Sequence, residues 1–236
     1  MSSPVSLAQL ESERIKRSER GSLHAFVRYA WSKVEQAKFI DNWHIELLCD
    51  YLERVSAGEI DRLVINVPPG TGKSLIVSVF WPMWEWIFRP QTKWMYASYS
   101  PALASGHGQF CIDLLQSRWW QRRFDTRLVR LKPAASNFYN TDGGRRFATS
   151  PGGTATGIHA DIQVCDDPIK PQSLLEWSSV QTQTALRAVS VWWRQTMSTR
   201  KANPATFRRV IVMQRLHELD LAQEMLGKGW AHVHLP

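Results

Sequence analysis

A glycine-bearing turn that closes on Gly-Lys-Ser is the segment of this chain best suited to chemistry. Residues 62–74 read RLVINVPPGTGKS, in which an apolar strand runs into the turn and a helical apolar run follows. Lys73 can reach the β- and γ-phosphates of a nucleoside triphosphate, and the Ser74 hydroxyl can ligate Mg²⁺. Gly70 and Gly72 permit positive φ and a close backbone approach. The segment therefore predicts a phosphate-binding loop at the N-terminus of a helix.

This loop is a variant of the usual pattern. G-x-x-x-x-G-K-[ST] would place glycine where Val67 stands, although the part PPGTGKS is intact. The alternative is a chance Gly-Lys-Ser in a surface turn, and the strand-like run before it with the apolar run after it argues for the loop. The residues expected to contact nucleotide here are Pro69, Gly70, Thr71, Gly72, Lys73, Ser74 and Leu75.

A second candidate lies where an apolar strand ends in two acids. Residues 161–168 read DIQVCDDP, so that Asp166 and Asp167 follow the apolar run. The carboxyl end of such a strand faces bound phosphates, where Asp166 can orient Mg²⁺ through its water shell. Asp167 is then placed to polarise an attacking water. Paired acids also occur in solvated turns and helix caps, but their place after a phosphate loop favours catalysis.

A third candidate is Gln214, which ends the apolar run VIVM. A polar residue at such a strand end resembles the γ-phosphate sensor of P-loop ATPases of the additional-strand type, where it couples hydrolysis to motion. The alternative is that Gln214 and Arg215 simply begin a loop.

Composition limits the classes of protein to consider. With 236 residues, the chain can form one large α/β domain or one domain with a small appendage. A net charge of +8 favours a polyanionic partner. Cys49, Cys111 and Cys165 lack disulfide or zinc spacing, and a reducing cytoplasm fits them. The polar start indicates no signal peptide, and no apolar run approaches the roughly 18 residues of a membrane span, so no membrane association is expected.

Strands and helices alternate along the chain, which predicts a mostly parallel central sheet flanked by helices. Residues 1–20 are expected to form a helical arm. Further helices are expected at residues 22–35, 41–56, 74–88, 101–120, 173–200 and 218–227. Strands are expected at residues 63–67, 93–100, 161–168, 208–215 and 231–236, with a hairpin turning at residues 142–144.

The order of these motifs resembles the ATPase domain of the large terminase subunit of tailed double-stranded DNA bacteriophages. The resemblance runs from Ser22 to Pro236 and is carried by WH, INVPPGTGKS, YASYS, GGRRFATSPGGTATGIHADIQVCDDP and VIVMQRLHELDL. It implies a RecA-like P-loop NTPase fold of the additional-strand (ASCE) type, with ATP and Mg²⁺ as ligands. Trp43 and His44 match the family's adenine-contacting segment.

The function that the resemblance implies is a motor that hydrolyses ATP to drive double-stranded viral DNA into a procapsid. Its implied partners are DNA, the portal protein, the small terminase subunit and further copies of itself in a ring. The implied location is the cytoplasm of the infected bacterium, without retention in the mature virion. Residues 1–236 would form a single motor domain. In the family a nuclease domain follows where this chain ends, so no nuclease activity is expected of it.

Two departures from the family pattern concern catalysis. Asp167 stands where many members carry glutamate, one methylene longer. The loop also lacks the basic residue of many members, so the arginine that stabilises transition-state charge must come from elsewhere. Arg145 and Arg146 are the favoured candidates, because a hairpin tip can protrude into a neighbouring subunit. The other candidate arginines are Arg194, Arg200 and Arg215.

Two rival functions remain open at this stage. A helicase or AAA+-type DNA-dependent ATPase also carries a PPGTGK loop, and strand unwinding would separate it from translocation on intact duplex. A nucleotide-binding switch or scaffold would bind ATP without turnover. Phosphate contacts to DNA are expected from one of two basic stretches, residues 122–132 or residues 201–209.

Overall fold

A single sheet of seven strands organises the part of the chain that the structure describes. This computed structural model describes residues 7, 10, 21–129, 133–153, 155–170, 176 and 178–235, so the arm predicted for residues 1–20 lies almost wholly outside it. The strands are β1 (Arg62–Asn66), β2 (Lys93–Ser98), β3 (Asn137–Tyr139), β4 (Arg145–Thr149), β5 (Ile162–Asp166), β6 (Arg208–Met213) and β7 (Ala231–His234). Their order in the sheet is β3-β4-β2-β5-β6-β1-β7.

The pairing of these strands confirms the predicted fold class. Every neighbouring pair is parallel except the hairpin β3–β4. Strand β6 lies between β1, which enters the Gly-Lys-Ser loop, and β5, which ends in Asp166. An additional strand therefore separates the loop strand from the acidic strand, as the ASCE type requires.

Helices cover both faces of the sheet. They are α1 (Leu23–Ala30), α2 (Trp43–Ala57), α3 (Lys73–Leu75, Ile76–Phe80 and Trp81–Phe88 in succession), α4 (Pro101–Gln116), α5 (Arg118–Gln121), α6 (Ser179–Gln195) and α7 (Leu221–Leu226). Alternate residues of β1 point to opposite faces. Leu63 and Ile65 pack with the α1 to α5 side of the core, and Val64 packs with the α6 and α7 side. A strand buried on both faces explains why β1 reads as a continuous apolar run.

Helix α3 changes its hydrogen-bonding pattern directly after the loop. Its middle segment, Ile76–Phe80, is a π-helix between two α-helical segments. The segment is fully buried, and the Tyr96 hydroxyl donates a hydrogen bond to the carbonyl oxygen of Val77 at 3.1 Å. π-Helical turns inside α-helices are frequent at functional sites, and this one follows Lys73 and Ser74 by a single turn.

The predicted helix at residues 101–120 is interrupted. Ser117 has extended backbone angles, and its hydroxyl accepts a hydrogen bond from the amide of Trp120 at 3.1 Å. A serine that caps a new helix ends the old one, which explains the break. The hairpin at residues 142–144 is confirmed by the pairing of β3 with β4. None of the helices in the described ranges is both long and apolar enough to traverse a bilayer.

Candidate nucleotide site

The loop after β1 adopts the backbone that its glycines predict. Gly70 has a φ of 78° and Gly72 a φ of 75°, a left-handed region that disfavours side chains. Gly72 caps helix α3, so the first amides of the helix point out of the loop. A Cβ at Gly72 would lie 3.4 Å from the Trp31 ring, which packs beneath the loop. The result is a helix N-terminus shaped for an anion.

Lys73 of this loop forms a part-buried ion pair with Asp167. The Lys73 side chain is 6% exposed, and its Nζ lies 3.0 Å from Oδ2 of Asp167. The second carboxylate oxygen of Asp167 lies 3.2 Å from the same nitrogen. Strand β5 therefore brings the predicted water-activating acid into contact with the predicted phosphate-binding lysine.

Asp166 lies beside them, held by two hydroxyl groups. Ser74 Oγ donates to Oδ1 at 3.2 Å, and Ser78 Oγ donates to Oδ2 at 3.1 Å. Burial raises the pKa of Asp166 from its ordinary value of 3.8 to about 6, and the charge of Asp167 acts in the same direction. Lys73 and the two hydroxyls act in the opposite direction. A positive charge placed here would restore the ionised carboxylate.

The donor set around Asp166 fits Mg²⁺. The ion is usually held by one or two carboxylates with substrate phosphates and several waters. Ser74 and Asp166 supply two hard oxygen donors that already touch, next to the loop that would hold the phosphates. No cluster of three or more His, Cys, Asp or Glu side chains that could hold a metal ion occurs among the described residues.

Asp167 has a strained backbone that three neighbours hold in place. Its φ of 43° is the one positive value at a non-glycine residue among those the structure describes. Its amide donates to the Val212 carbonyl at 2.9 Å, and its carbonyl accepts from the Tyr99 amide at 3.1 Å. The backbone amide of Gln214 donates to the Asp167 carboxylate at 3.3 Å. Aspartate tolerates the left-handed region better than glutamate, which gives a physical reason for the shorter acid here.

Gln214 is joined to the site through the end of β6. Beside it, the buried Asn66 donates from Nδ2 to the Met213 carbonyl at 2.9 Å, and His232 donates from Nε2 to Asn66 Oδ1 at 2.8 Å. These bonds tie the ends of β1, β6 and β7 together at the level of Gln214. A movement of Asp167 would therefore be felt at the end of β6.

The predicted adenine-side residues lie next to the loop. His44 Nε2 donates to the Thr71 carbonyl at 3.3 Å, and the Thr71 hydroxyl donates to the Pro68 carbonyl at 3.1 Å. Trp43 precedes His44 at the start of α2 and is 62% exposed. An exposed indole beside a phosphate loop is available for stacking on a base.

Most of the predicted nucleotide-contacting residues line one open cavity of about 280 Å³. The lining residues are Pro69, Gly70, Gly72, Lys73, Ser74, Leu75 and Asp167. Three residues of the site were not predicted from the sequence: Trp31 beneath Gly72, Ser78 bonded to Asp166, and Asn66 beside Gln214. The available signal for Asn66 and for Ser78 was the same, a polar residue inside an apolar run, LVINV for the first and IVSVF for the second.

The structure argues against the hairpin arginines as a protruding finger. Arg146 is 0% exposed, and its guanidinium lies 4.3 Å from the centroid of the Tyr96 ring. Its Nη2 donates to the Ser78 carbonyl at 3.2 Å, so it supports the π-helical segment of α3. Arg145 donates to Asn137 Oδ1 at 2.8 Å and stacks on Tyr139. The prediction expected this hairpin to protrude into a neighbouring subunit, whereas both arginines belong to the paired strand β4.

The other candidate arginines are also held within the chain. Arg145 and Arg146 begin β4, which runs parallel to β2, so they lie at the edge of the sheet opposite the loop. Arg194 lies at the end of the crossover helix α6 at that same far edge, where it pairs with Glu224 at 3.4 Å. The Nε of Arg200 is buried without a hydrogen-bond partner among the described residues, and its backbone carbonyl accepts from the Ala160 amide just before β5. Arg215 follows β6 on the loop side and pairs with Asp220 at 3.2 Å.

Comparison with solved structures shows what this fold resembles. Neither a protein-family model nor a curated protein matches the sequence. The large terminase of bacteriophage HK97 matches with a TM-score of 0.56 at 12% identity, over 92% of this chain and 43% of the other. A large terminase from a thermophilic bacteriophage, in complex with ADP, matches with a TM-score of 0.44 at 10% identity, over 78% of this chain and 44% of the other.

The chain thus spans less than half the length of these structures. At 12% identity the likeness to the HK97 protein is one of fold. Over most of its length, the chain has the fold of the part of the HK97 bacteriophage large terminase that it matches.

Proposed function

We propose that the chain is the ATP-hydrolysing part of a motor that moves double-stranded viral DNA into a procapsid. The observation that carries this proposal is the meeting of Lys73, Ser74, Asp166 and Asp167 at one edge of an additional-strand sheet. The fold likeness to the HK97 large terminase supports the choice of a packaging motor among P-loop ATPases.

In this proposal the loop residues hold ATP by its phosphates. The amides at the start of α3 and the Lys73 ammonium face the β- and γ-phosphates, while Trp43 and His44 flank the base. Ser74 and Asp166 would hold Mg²⁺, which neutralises charge on the phosphate oxygens when bound. Ser78 fixes the far oxygen of Asp166, so that the near oxygen stays directed at Ser74.

Asp167 is the group that handles the proton. The γ-phosphate oxygens compete with Asp167 for Lys73, so its carboxylate becomes able to accept a hydrogen bond from water. The water oxygen attacks the γ-phosphorus, the bond to the β,γ-bridging oxygen breaks, and Asp167 takes a proton from the attacking water. The products are ADP and inorganic phosphate.

Gln214 is proposed to transmit a change in the contacts of Asp167 from the nucleotide site to the segment that follows β6. Its amide bonds to the same carboxylate oxygen of Asp167 that lies 3.2 Å from Lys73. A change in the contacts of Asp167 therefore alters the support of the β6 end, from which the coupling segment QRLHELDL departs.

The remaining parts of the machine lie outside this chain. No arginine lines the nucleotide cavity among the described residues, so we propose that a neighbouring subunit in a ring supplies the arginine. Double-stranded DNA, the portal protein and the small terminase subunit are the other proposed partners.

Triplex displacement tests the proposal. A motor of this kind strips a third strand from intact duplex when ATP is added, in the presence of portal and procapsid, and leaves a forked duplex paired. Asp167→Asn should abolish the displacement while ATP binding persists. Unwinding of the fork would instead indicate a helicase. Tight ATP binding with neither displacement nor turnover would indicate a switch or scaffold.

A further inference from the structure

A second pocket lies at the edge of the sheet opposite the nucleotide site. It has a volume of about 260 Å³ and is bounded by the start of β1, the end of α6, the segment before β6 and the end of α7. We call it the amino-edge pocket. Its charged lining residues are Asp61, Arg62, Arg194, Lys201, Arg209 and Lys228.

Cations outnumber acids in the amino-edge pocket. Glu224 bridges two of the five, with Lys228 Nζ at 2.7 Å and Arg194 Nε at 3.4 Å. No ion pair is recorded in the described ranges for Arg62, Lys201 or Arg209. Lys201 instead lies 5.7 Å from the Phe207 ring. The pocket therefore carries a surplus of positive charge that its own acids do not neutralise.

Two of these cations are forced side by side by the sheet. Arg62 and Arg209 are partners in the parallel register of β1 and β6, so their side chains leave the same face of the sheet on adjacent strands. Adjacent strands are separated by about 4.8 Å, and like charges directly opposite each other are destabilising. A folded protein tolerates such a pair more readily when an anion lies between them.

Arg209 is built into the floor of the pocket. Its guanidinium lies 4.0 Å from the centroid of the Trp193 ring, and its Nη2 donates to the Trp193 carbonyl at 3.1 Å. Its Nε is buried without a hydrogen-bond partner. Burial lowers the pKa of Arg209 to about 10, and Arg62 contributes to the lowering. These contacts hold the guanidinium flat and in place, as a planar two-point donor to a phosphate requires.

We propose that the amino-edge pocket binds phosphate groups of the DNA backbone. The proposal rests on the proposed function, since a motor that accepts any sequence must grip phosphates rather than bases. Arg209 and Arg62 form the floor for one phosphate, and Lys201 at the rim meets the next. The pocket lies across the sheet from the nucleotide cavity, so DNA and ATP occupy opposite ends of β1 and β6.

The test compares two double variants by fluorescence anisotropy with a labelled duplex across a salt series. Arg62→Gln with Lys201→Gln removes two cations of the pocket. Arg118→Gln with Arg187→Gln removes two exposed cations outside it and leaves the net charge equal. Each lost phosphate contact reduces the slope of log affinity against log salt by about 0.9. The pocket variant should therefore lose about 2 units of slope and about tenfold or more in affinity, while the control keeps the wild-type slope.

Three further results would overturn the assignment. Equal losses in both double variants would mean that only overall charge matters. An unchanged slope in the pocket variant would place DNA elsewhere. An unchanged slope together with loss of binding of inorganic phosphate, measured by calorimetry, would mean that the pocket holds a free anion. Binding of a fluorescent ATP analogue is measured in parallel. If the wild-type protein does not bind the analogue, the result counts against the proposed function and not against the pocket.

Discussion

The two edges of the central sheet handle charge in opposite ways. At the carboxyl edge, Lys73 is paired with Asp167 and two hydroxyls hold Asp166, so a cation and two acids lie in contact and largely compensate one another. At the amino edge, Arg62 and Arg209 stand in register, and five cations line the pocket there against one acid. A compensated edge suits a ligand that brings both phosphate and a metal ion. An uncompensated edge suits a ligand that brings negative charge alone.

The largest expected effect comes from removing one lysine at each edge of the sheet and comparing the affinities for ATP and for DNA. Lys73→Ala deletes the cation beneath the phosphates and leaves Asp167 without its partner, so ATP affinity should fall by about 100-fold, on the order of 3 kcal/mol. DNA affinity should hardly change. Lys201→Ala should do the reverse, weakening DNA and sparing ATP. The measurements are titrations of both variants with a fluorescent ATP analogue and with labelled duplex. If either variant loses both ligands equally, the two edges are not separate sites.

Asp166 provides a test by pH. Because its folded pKa of about 6 lies above its ordinary value of 3.8, its contribution to stability is complete below pH 4 and is lost as the pH rises through 6. At pH 7.5 the buried charge then costs up to about 3 kcal/mol. Asp166→Asn should raise the free energy of unfolding at pH 7.5 by about 1–3 kcal/mol and have little effect at pH 4, as measured by urea unfolding.

The exposed Asp113→Asn is the matched control for that experiment and should change neither value. The stabilisation that Mg·ATP gives the wild-type protein should also vanish in Asp166→Asn. A variant that is equally destabilised at both pH values would show that Asp166 is an ordinary structural acid.

Arg146 and Arg145 allow the stability contribution of a buried cation to be compared with that of a half-buried one. Arg146→Ala removes a hydrogen-bond donor from the buried Ser78 carbonyl and the cation from the Tyr96 ring face, so thermal and urea unfolding should show a loss of about 2–3 kcal/mol. Arg145→Ala, at a half-buried position, should cost about 1 kcal/mol or less. Equal costs would contradict the structural role of Arg146. Loss of hydrolysis in a stably folded, assembled Arg145→Ala ring would restore that residue as a finger.

The smallest expected effect concerns Glu224, the acid that pairs with two cations of the amino-edge pocket. Glu224 neutralises part of the charge of Arg194 and Lys228, so Glu224→Gln should raise DNA affinity by up to about fivefold at low salt, corresponding to about 1 kcal/mol. Anisotropy titrations measure this change, and Glu35→Gln, at a half-buried glutamate outside the pocket, is the control. A fall in DNA affinity would indicate that the pocket does not receive phosphate.

The nucleotide site could be predicted from local sequence more completely than the amino-edge pocket could. Gly70, Gly72, Lys73 and the acids of DIQVCDDP can be identified from local sequence because phosphate chemistry restricts residue type and spacing. The alternation of strands and helices likewise predicted the sheet and its class. These inferences needed no knowledge of which strands are neighbours.

The features that sequence did not reveal depend on strand neighbours. The Arg62–Arg209 pair exists only because β6 is inserted beside β1, and the two residues are far apart in the chain. Arg146 was expected at a turn tip, whereas pairing of β4 with β2 places it in the core under Tyr96. Ser78 meets Asp166 only because the end of β5 lies beside the start of α3.

Steady-state ATP hydrolysis against chain concentration, with Asp167→Asn alongside, tests the central claim most directly. Asparagine tolerates the left-handed backbone of Asp167, so the variant removes the charge without straining the loop. The account predicts a fall in turnover of about 100- to 10,000-fold with Mg·ATP binding retained, and a wild-type specific rate that rises with concentration as subunits assemble. A flat wild-type rate would move the missing arginine into the same subunit. Turnover unchanged in Asp167→Asn would contradict the catalytic site described here.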